Sequence, residues 1–273
     1  MLFAQISDMH IKAPGEIFSE RVDTADYLRR CVMHLNALSP APEMVFATGD
    51  LVNAGTAEEY GHLRELLRPL VMPCYLLAGN HDDRAEMRRA FADHAYLPRE
   101  GEFLHYMLDR GPLRLIALDT LIPGEGGGRM CPARLEWLAE RLREAPGRPT
   151  VILMHHPPIE TGIAFMDRIG LEGEPEMARI VAEHGQVQRV LCGHIHRSIQ
   201  ALWAGTAVQV SPAPAHQVAL DLGGDPSRGY FIMEPPACML HLWRPPTGLL
   251  SHVSYVGEFD GPHPFRKKVD AAK

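Results

Sequence analysis

Five short segments, far apart in the chain, each set metal-ligand types just after an apolar run. They are Asp8-Met9-His10, Gly49-Asp50, Gly79-Asn80-His81-Asp82, His155-His156 and Gly193-His194-Ile195-His196. Together they supply carboxylate oxygens, an amide oxygen and several imidazole nitrogens, with no Cys among them. That donor set suits two divalent or trivalent cations of the Zn, Mn, Fe or Co kind, not an iron–sulfur cluster. Two such cations side by side clamp the attacking and leaving oxygens of a phosphate ester. The chemistry to expect is two-metal phosphoester hydrolysis.

Each fragment also has a plainer reading. Asp8-x-His10 alone is ordinary polar loop, although both side chains would share a face if the strand continued. Asp50 can simply end a strand; the functional alternative is a carboxylate shared by two metals. Asn80, Asp82 or Asp83 can cap a helix. His194 and His196, at i and i+2 after an apolar strand and a Gly, project to one side if extended. Alternation lets only one of His155 and His156 face the same place.

The elements that must position these groups alternate between strand and helix over the first two-thirds of the chain. Leu2 to Ser7 is a short apolar strand. Leu28, Cys31, Val32, Leu35 and Leu38 recur at helical spacing, and Pro40 and Pro42 end that helix. Met44 to Gly49 is a second strand. Thr56 and Glu59 form a capping box before a helix carrying Leu63, Leu66, Leu67 and Leu70. Pro73 to Asn80 is a third strand, followed by a short helix to about Phe91. Phe103 to Arg110 and Leu113 to Thr120 read as a hairpin around Gly111-Pro112. Pro132 opens a helix, Thr150 to His156 is a buried strand, Glu174 to His184 a helix and Gln188 to His194 a strand. After His196 the pattern turns to short strands between Gly and Pro turns. Alternating strands and helices predict a sheet with several parallel strands, and functional groups of such sheets gather beyond the carboxyl ends of strands. All five segments fall there.

Composition narrows the partners. A chain of 273 residues with 46% hydrophobic content can bury a sizeable core. Its 34 acids against 27 bases give a net charge of −7, which argues against stable nucleic-acid binding. Metal would reverse the local sign, so a small anionic phosphodiester could still be drawn in. No apolar run is long enough for a transmembrane helix, and no membrane is expected. The five Cys are scattered, without C-x-x-C spacing, so reduced thiols are expected. The start, MLFAQISDMH, lacks a secretion signal and runs straight into the first ligand segment, so the expected compartment is cytoplasmic. A homo-oligomer stays open.

The ordered set D-x-H, G-D, G-N-H-D, a single H and G-H-x-H resembles the calcineurin-like metallophosphoesterase superfamily, over roughly residues 1 to 200. GNHDD, MHHPP and CGHIH look most like the bacterial class III phosphodiesterases, which act on cyclic nucleotides or glycerophosphodiesters. The resemblance implies a four-layer α/β/β/α sandwich of two mixed sheets flanked by helices, and the short strands after His196 make the C-terminal portion at 197–254 β-rich. The expected organisation is one metallophosphoesterase domain over 1–254, followed at 255–273 by a surface arm or tail that carries Pro262, Pro264 and a basic cluster. The resemblance also implies two metal ions, one held by Asp8, His10, Asp50 and His196, the other by Asn80, His155, His194 and the shared Asp50. A hydroxide between the metals would attack phosphorus, with His81 beside the scissile phosphate. His81, Asn80 and His216 (in PAPAHQV) would contact substrate. Asn53 stands where purple acid phosphatases place Tyr, so no tyrosinate-iron centre is expected. Arg84 follows the GNH motif, but no further Arg clamp for a dianion can be placed, which favours a diester over a monoester. A nuclease would want a basic groove, and a non-catalytic scaffold would have lost ligands; all are present here.

Overall fold

The structure is a computed structural model that describes residues 1–265. The chain opens with β1 (Leu2–Ile6), whose last four residues are buried, as a strand covered on both faces must be. Helix α1 (Thr24–Ala37) is capped by Asp23, which accepts the Asp26 N–H at 2.9 Å, and buries Leu28, Cys31, Val32 and Leu35. Next come β2 (Val45–Thr48), α2 (Ala57–Leu67), β3 (Cys74–Leu77) and α3 (Arg84–Ala90). The Thr56–Glu59 capping box at α2 forms as expected. At α3 the cap is Asp83, accepting from the amides of Ala85 and Glu86, which leaves Asp82 free for another task.

The hairpin β4 (Tyr106–Arg110) and β5 (Leu113–Leu118) follows, then β6 (Gly128–Arg129), α4 (Pro132–Arg143), β7 (Thr150–Met154) and α5 (Ala164–Asp167). After β8 (Leu171–Glu172) and α6 (Glu174–Ala182) come β9 (Val187–Cys192), β10 (Ile199–Trp203), β11 (Thr206–Val210), β12 (Gln217–Val218) and β13 (Phe231–Ile232). The strands β14 (Ala237–Arg244) and β15 (Gly248–Tyr255) complete the described elements.

Two mixed sheets result. One has the order β15-β14-β1-β2-β3, the other β10-β11-β9-β7-β5-β4. β1, β2 and β3 are parallel, and so are β11, β9, β7 and β5, with antiparallel strands at the margins. Alternation along β5 explains the layering. Leu115 and Ala117 join a core with Phe3 and Phe46 of the first sheet and with Leu28 and Leu63 of α1 and α2. Ile116 and Leu118 face the other way, into a core with Leu138 and Leu142 of α4 and with Met177 and Val181 of α6. The layers are therefore helices, sheet, sheet, helices.

Three expectations need adjusting. The β-rich C-terminal portion is divided: β10 and β11 extend the second sheet, while β14 pairs antiparallel with β1 and β15 closes the first. Strand β15 and helix α5 were not expected. The strands leading to the ligand segments also stop early, at Ile6, Met154 and Cys192. The basic cluster of the expected C-terminal arm lies outside the described residues.

Candidate metal centre

All five ligand segments leave the carboxyl ends of β1, β2, β3, β7 and β9. Their backbones are not extended. Asp8, His10, Asp50, His194 and His196 have φ of 58°, 44°, 47°, 72° and 49°. Only three other described non-glycine residues, Ser19, Glu20 and Ala204, share this left-handed region. Such conformations cost free energy and persist where the surroundings enforce them. Here the enforcement is visible. Asp8 N–H donates to the Gly49 carbonyl and His10 N–H to the Asp50 carbonyl, each at 3.0 Å, which zips the first two loops together. Gly193 N–H bonds the His155 carbonyl at 3.0 Å and ties the last two. So the pairs Asp8/His10 and His194/His196 converge through left-handed turns, not through strand alternation as expected.

The loops also approach too closely for side chains. A Cβ on Gly193 would collide with Ser7 Oγ and come within 2.9 Å of the Thr48 carbonyl. Gly49, at φ +94°, would drive a Cβ into the His155 ring. Glycine is the residue that tolerates both demands.

The side chains fall into two groups that meet at Asp50. His10 Nε2 lies 3.1 Å from His196 Nε2 and 3.6 Å from Asp50 Oδ2, while His196 Nε2 lies 3.4 Å from Asp8 Oδ1. One ligand atom from each of these four lies within 4.8 Å of the others. On the other side, His155 Nε2 is 3.3 Å from Asp50 Oδ1 and 3.1 Å from Asn80 Oδ1. A ring nitrogen of His194 lies within 4.8 Å of one on His155. Asp50 thus turns one oxygen to each group. His156, which shares that last cluster, spends both ring nitrogens on Thr120 Oγ1 (2.8 Å) and the Gly126 carbonyl (3.2 Å). Of the two neighbouring histidines, His155 is the one facing the centre.

The donor set fits a pair of cations by a test of its own. Ligating imidazoles commonly donate their second N–H to a carbonyl, which fixes the tautomer. His155 Nδ1 lies 2.8 Å from the Thr48 carbonyl, His196 Nδ1 3.1 Å from that of His216, and His194 Nε2 3.0 Å from that of Ile169. Each ring then offers its other nitrogen as a lone pair. The carboxylates of Asp8 and Asp50 are buried, and their only salt-bridge partners among the described residues are histidines. Buried anions without Lys or Arg call for a cation.

Electrostatics agree. Burial, and then the charge of His155, lowers His194 to about 3, so it is a neutral donor at physiological pH. Burial likewise pushes His10 well below the usual imidazole range, over the opposing pull of Asp50. Burial disfavours charge on His155, yet Asp50 and Asp8 outweigh it and raise it to about 9. Burial disfavours the Asp50 anion too, but His155 and His10 hold it well below the carboxylate range.

Around this centre, His81 faces the cleft, its ring 4.6 Å from that of His10. Its N–H donates to Asp50 Oδ1 at 2.9 Å, and its Nδ1 lies 2.7 Å from the Asn53 carbonyl, which leaves Nε2 free. The turn at Gly79-Asn80 thus brings Asn80 and His81 to one place. His216 is buried at the cleft and stacks on Phe18 at 4.3 Å. Burial, then His196 and His81, lowers it to about 3. Arg84 is bound at both ends of the Asp119 carboxylate, at 2.6 and 2.7 Å, and to the Leu121 carbonyl.

Several contributors were not anticipated. Asp82 is buried and accepts from the amides of Gly79 (2.8 Å), Leu51 (3.1 Å) and Val52 (3.4 Å) and from the Tyr60 hydroxyl (2.9 Å). It fastens the second ligand loop to the third. In the sequence it stood in the G-N-H-D segment and among the candidate helix caps, and nothing there signalled this fastening role. Phe18, Phe165, Tyr230 and Phe231 wall the cleft and gave no periodic signal.

Known proteins resemble this chain closely. Residues 1–198 match the family model for calcineurin-like phosphoesterase. A probable glycerophosphodiester phosphodiesterase, GpdQ, of Arcobacter nitrofigilis is 38% identical over 266 residues, covering 97% of this chain and 97% of that relative. A 3′,5′-cyclic adenosine monophosphate phosphodiesterase, CpdA, of Pseudomonas aeruginosa is 31% identical over 220 residues, covering 80% and 78%. A dimetal phosphatase from Danio rerio has the same fold, with a TM-score of 0.61 over 94% of this chain and 99% of that one at 13% identity.

Proposed function

The chain belongs to the calcineurin-like phosphoesterase family, and from that premise we propose that it hydrolyses small phosphodiesters with a pair of bound metal ions. The observation that carries this reading is the division of Asp50, with Oδ1 toward His155 and Oδ2 toward His10. Asp8, His10, Asp50 and His196 would hold one ion; Asn80, His155, His194 and Asp50 the other. When bound, the ions lower the pKa of a water molecule and neutralise charge on the phosphate.

The protein's own groups do the rest. The Thr48, Ile169 and His216 carbonyls fix three imidazoles in the ligating tautomer. The His81 N–H steadies Asp50, and the Asn53 carbonyl aims the His81 ring. Nε2 of His81 is the atom placed to pass a proton to the departing alkoxide. Nearby, His216 offers a neutral imidazole to the substrate.

A diester is favoured over a monoester because a dianion calls for guanidinium partners. Arg84 is already committed to Asp119, and its side chain is 12% exposed. The test is to load the protein with Mn, Zn, Fe or Co and compare p-nitrophenyl phosphate with bis-p-nitrophenyl phosphate. The diester should have the higher kcat/KM. A monoester preference would overturn the diester assignment, and inactivity with every metal would overturn the enzyme reading.

A further inference from the structure

The cleft over the candidate ligand atoms opens in two directions, one apolar and one of mixed, charged lining. One branch, of about 330 Å³, exposes His10, Asp50, His194 and His196 and is walled by aromatic rings. Phe18 stacks on His216 at an interplanar angle of 13°, and Phe231 meets Phe18 edge-on at 5.7 Å, so this wall is built before any ligand arrives. Phe165 and Tyr230 continue it. The other branch, of about 640 Å³, is mixed: Asn53, Asp83, Arg84, Arg88 and Glu125 line it together with Leu121 and Pro123. The two share Asn80, His81 and Gly126. A phosphate seated at His81 therefore looks into both.

A cyclic phosphodiester carries both ester oxygens on one sugar and extends one arm; it would leave a branch empty. An acyclic diester extends two. The volume of the aromatic branch lies within the range of pockets that enclose organic ligands, about 300–1,000 Å³. Resting on the phosphodiesterase reading, we propose that the substrate is an acyclic phosphodiester with one aromatic alcohol and one small polar alcohol. The aromatic arm lies against Phe18 and Phe231, and the polar arm lies along Arg88 and Glu125. The polar alcohol is the one released. Water oxygen bonds to phosphorus as the bond from phosphorus to the polar alcohol oxygen breaks. His81 Nε2 gives that oxygen a proton and is restored by the proton water loses. The products are the aromatic phosphomonoester and the free polar alcohol.

Benzyl glyceryl phosphate and methyl glyceryl phosphate test this, since both offer the same glycerol leaving group. Burying a ring is worth roughly a factor of ten or more, so kcat/KM should be at least about tenfold higher for the benzyl ester. Phosphorus NMR should find benzyl phosphate as the product. Calorimetry should find benzyl phosphate bound at least about tenfold more tightly than methyl phosphate, a readout independent of turnover. Phe231→Ala and Tyr230→Ala should each shrink the ratio between the two esters, a quantity that a general loss of activity does not move. Equal kcat/KM for the two esters, release of benzyl alcohol, or a preference for a cyclic nucleotide over both would overturn the proposal and leave the phosphodiesterase reading standing. Failure to cleave any diester would overturn both.

Discussion

Asp50 joins the two groups of candidate ligands, because its oxygens face His155 and His10 separately. Removing it should therefore empty both positions, whereas loss of a ligand to one ion should empty one. Asp50→Ala is expected to bind less than one equivalent of metal and to lose activity; two equivalents by elemental analysis would refute a bridging role. His81 makes a different prediction. Among the described residues its side chain pairs with no carboxylate, and its ring is held by the Asn53 carbonyl. His81→Ala should keep its metals and fold while losing about 10²- to 10⁴-fold in turnover, the usual worth of a general acid. The loss should be large for alkyl leaving groups and small for p-nitrophenolate, which departs without a proton. Equal losses on both would assign His81 to holding the phosphate instead.

Between residue and domain, the loops decide whether ligands meet, and Asp82 is the pin joining two of them. Asp82→Ala removes the acceptor that the buried backbone donors at Gly79 and Leu51 share. Leaving such buried donors unpaired costs about 1–3 kcal/mol, so the denaturant midpoint should fall and metal affinity with it. An unchanged midpoint would show that the loops hold without the pin. The same elements mark how far the sequence could be read. Ligand types at the ends of apolar runs were legible, since strands and their ends follow from β1-like patterns in a single stretch of chain. The left-handed turns at Asp8 and His194 were not, because no local preference of Asp or His demands them; contacts from neighbouring loops do. Asp82 hid behind the capping signal of Asp83. Phe18 and Tyr230 lie outside the helices and strands, and Phe165 sits in α5, whose four residues are too few to show a period. The pairing of β14 with β1 joins the two ends of the chain, and nothing local encodes it.

For the molecule as a whole, the Arg84–Asp119 pair links the first residue of α3, which follows a strand of the first sheet, to the segment after β5 of the second. Burial opposes ionisation of Asp119, but the Arg84 guanidinium outweighs it and holds the carboxyl below its ordinary 3.8. A depressed carboxyl pKa stabilises the fold at pH above the unfolded value and loses that contribution as pH falls through the folded one. Asp119→Asn should therefore cost about 3–5 kcal/mol at neutral pH, as breaking a buried pair does, and the gap to the parent should narrow below pH 3.8. A gap independent of pH would mean that shape, not charge, holds the two sheets here. The placement of β14 also has a consequence for synthesis. His10 and His196 meet across 186 positions, and by the time the ribosome has released His216 every candidate ligand is outside. Yet β1, which positions Asp8 and His10, still lacks its antiparallel neighbour until residues 237–244 emerge. The nascent protein thus carries its full complement of candidate ligands while β1 is paired on one side only, with β2, and the first sheet is still unfinished.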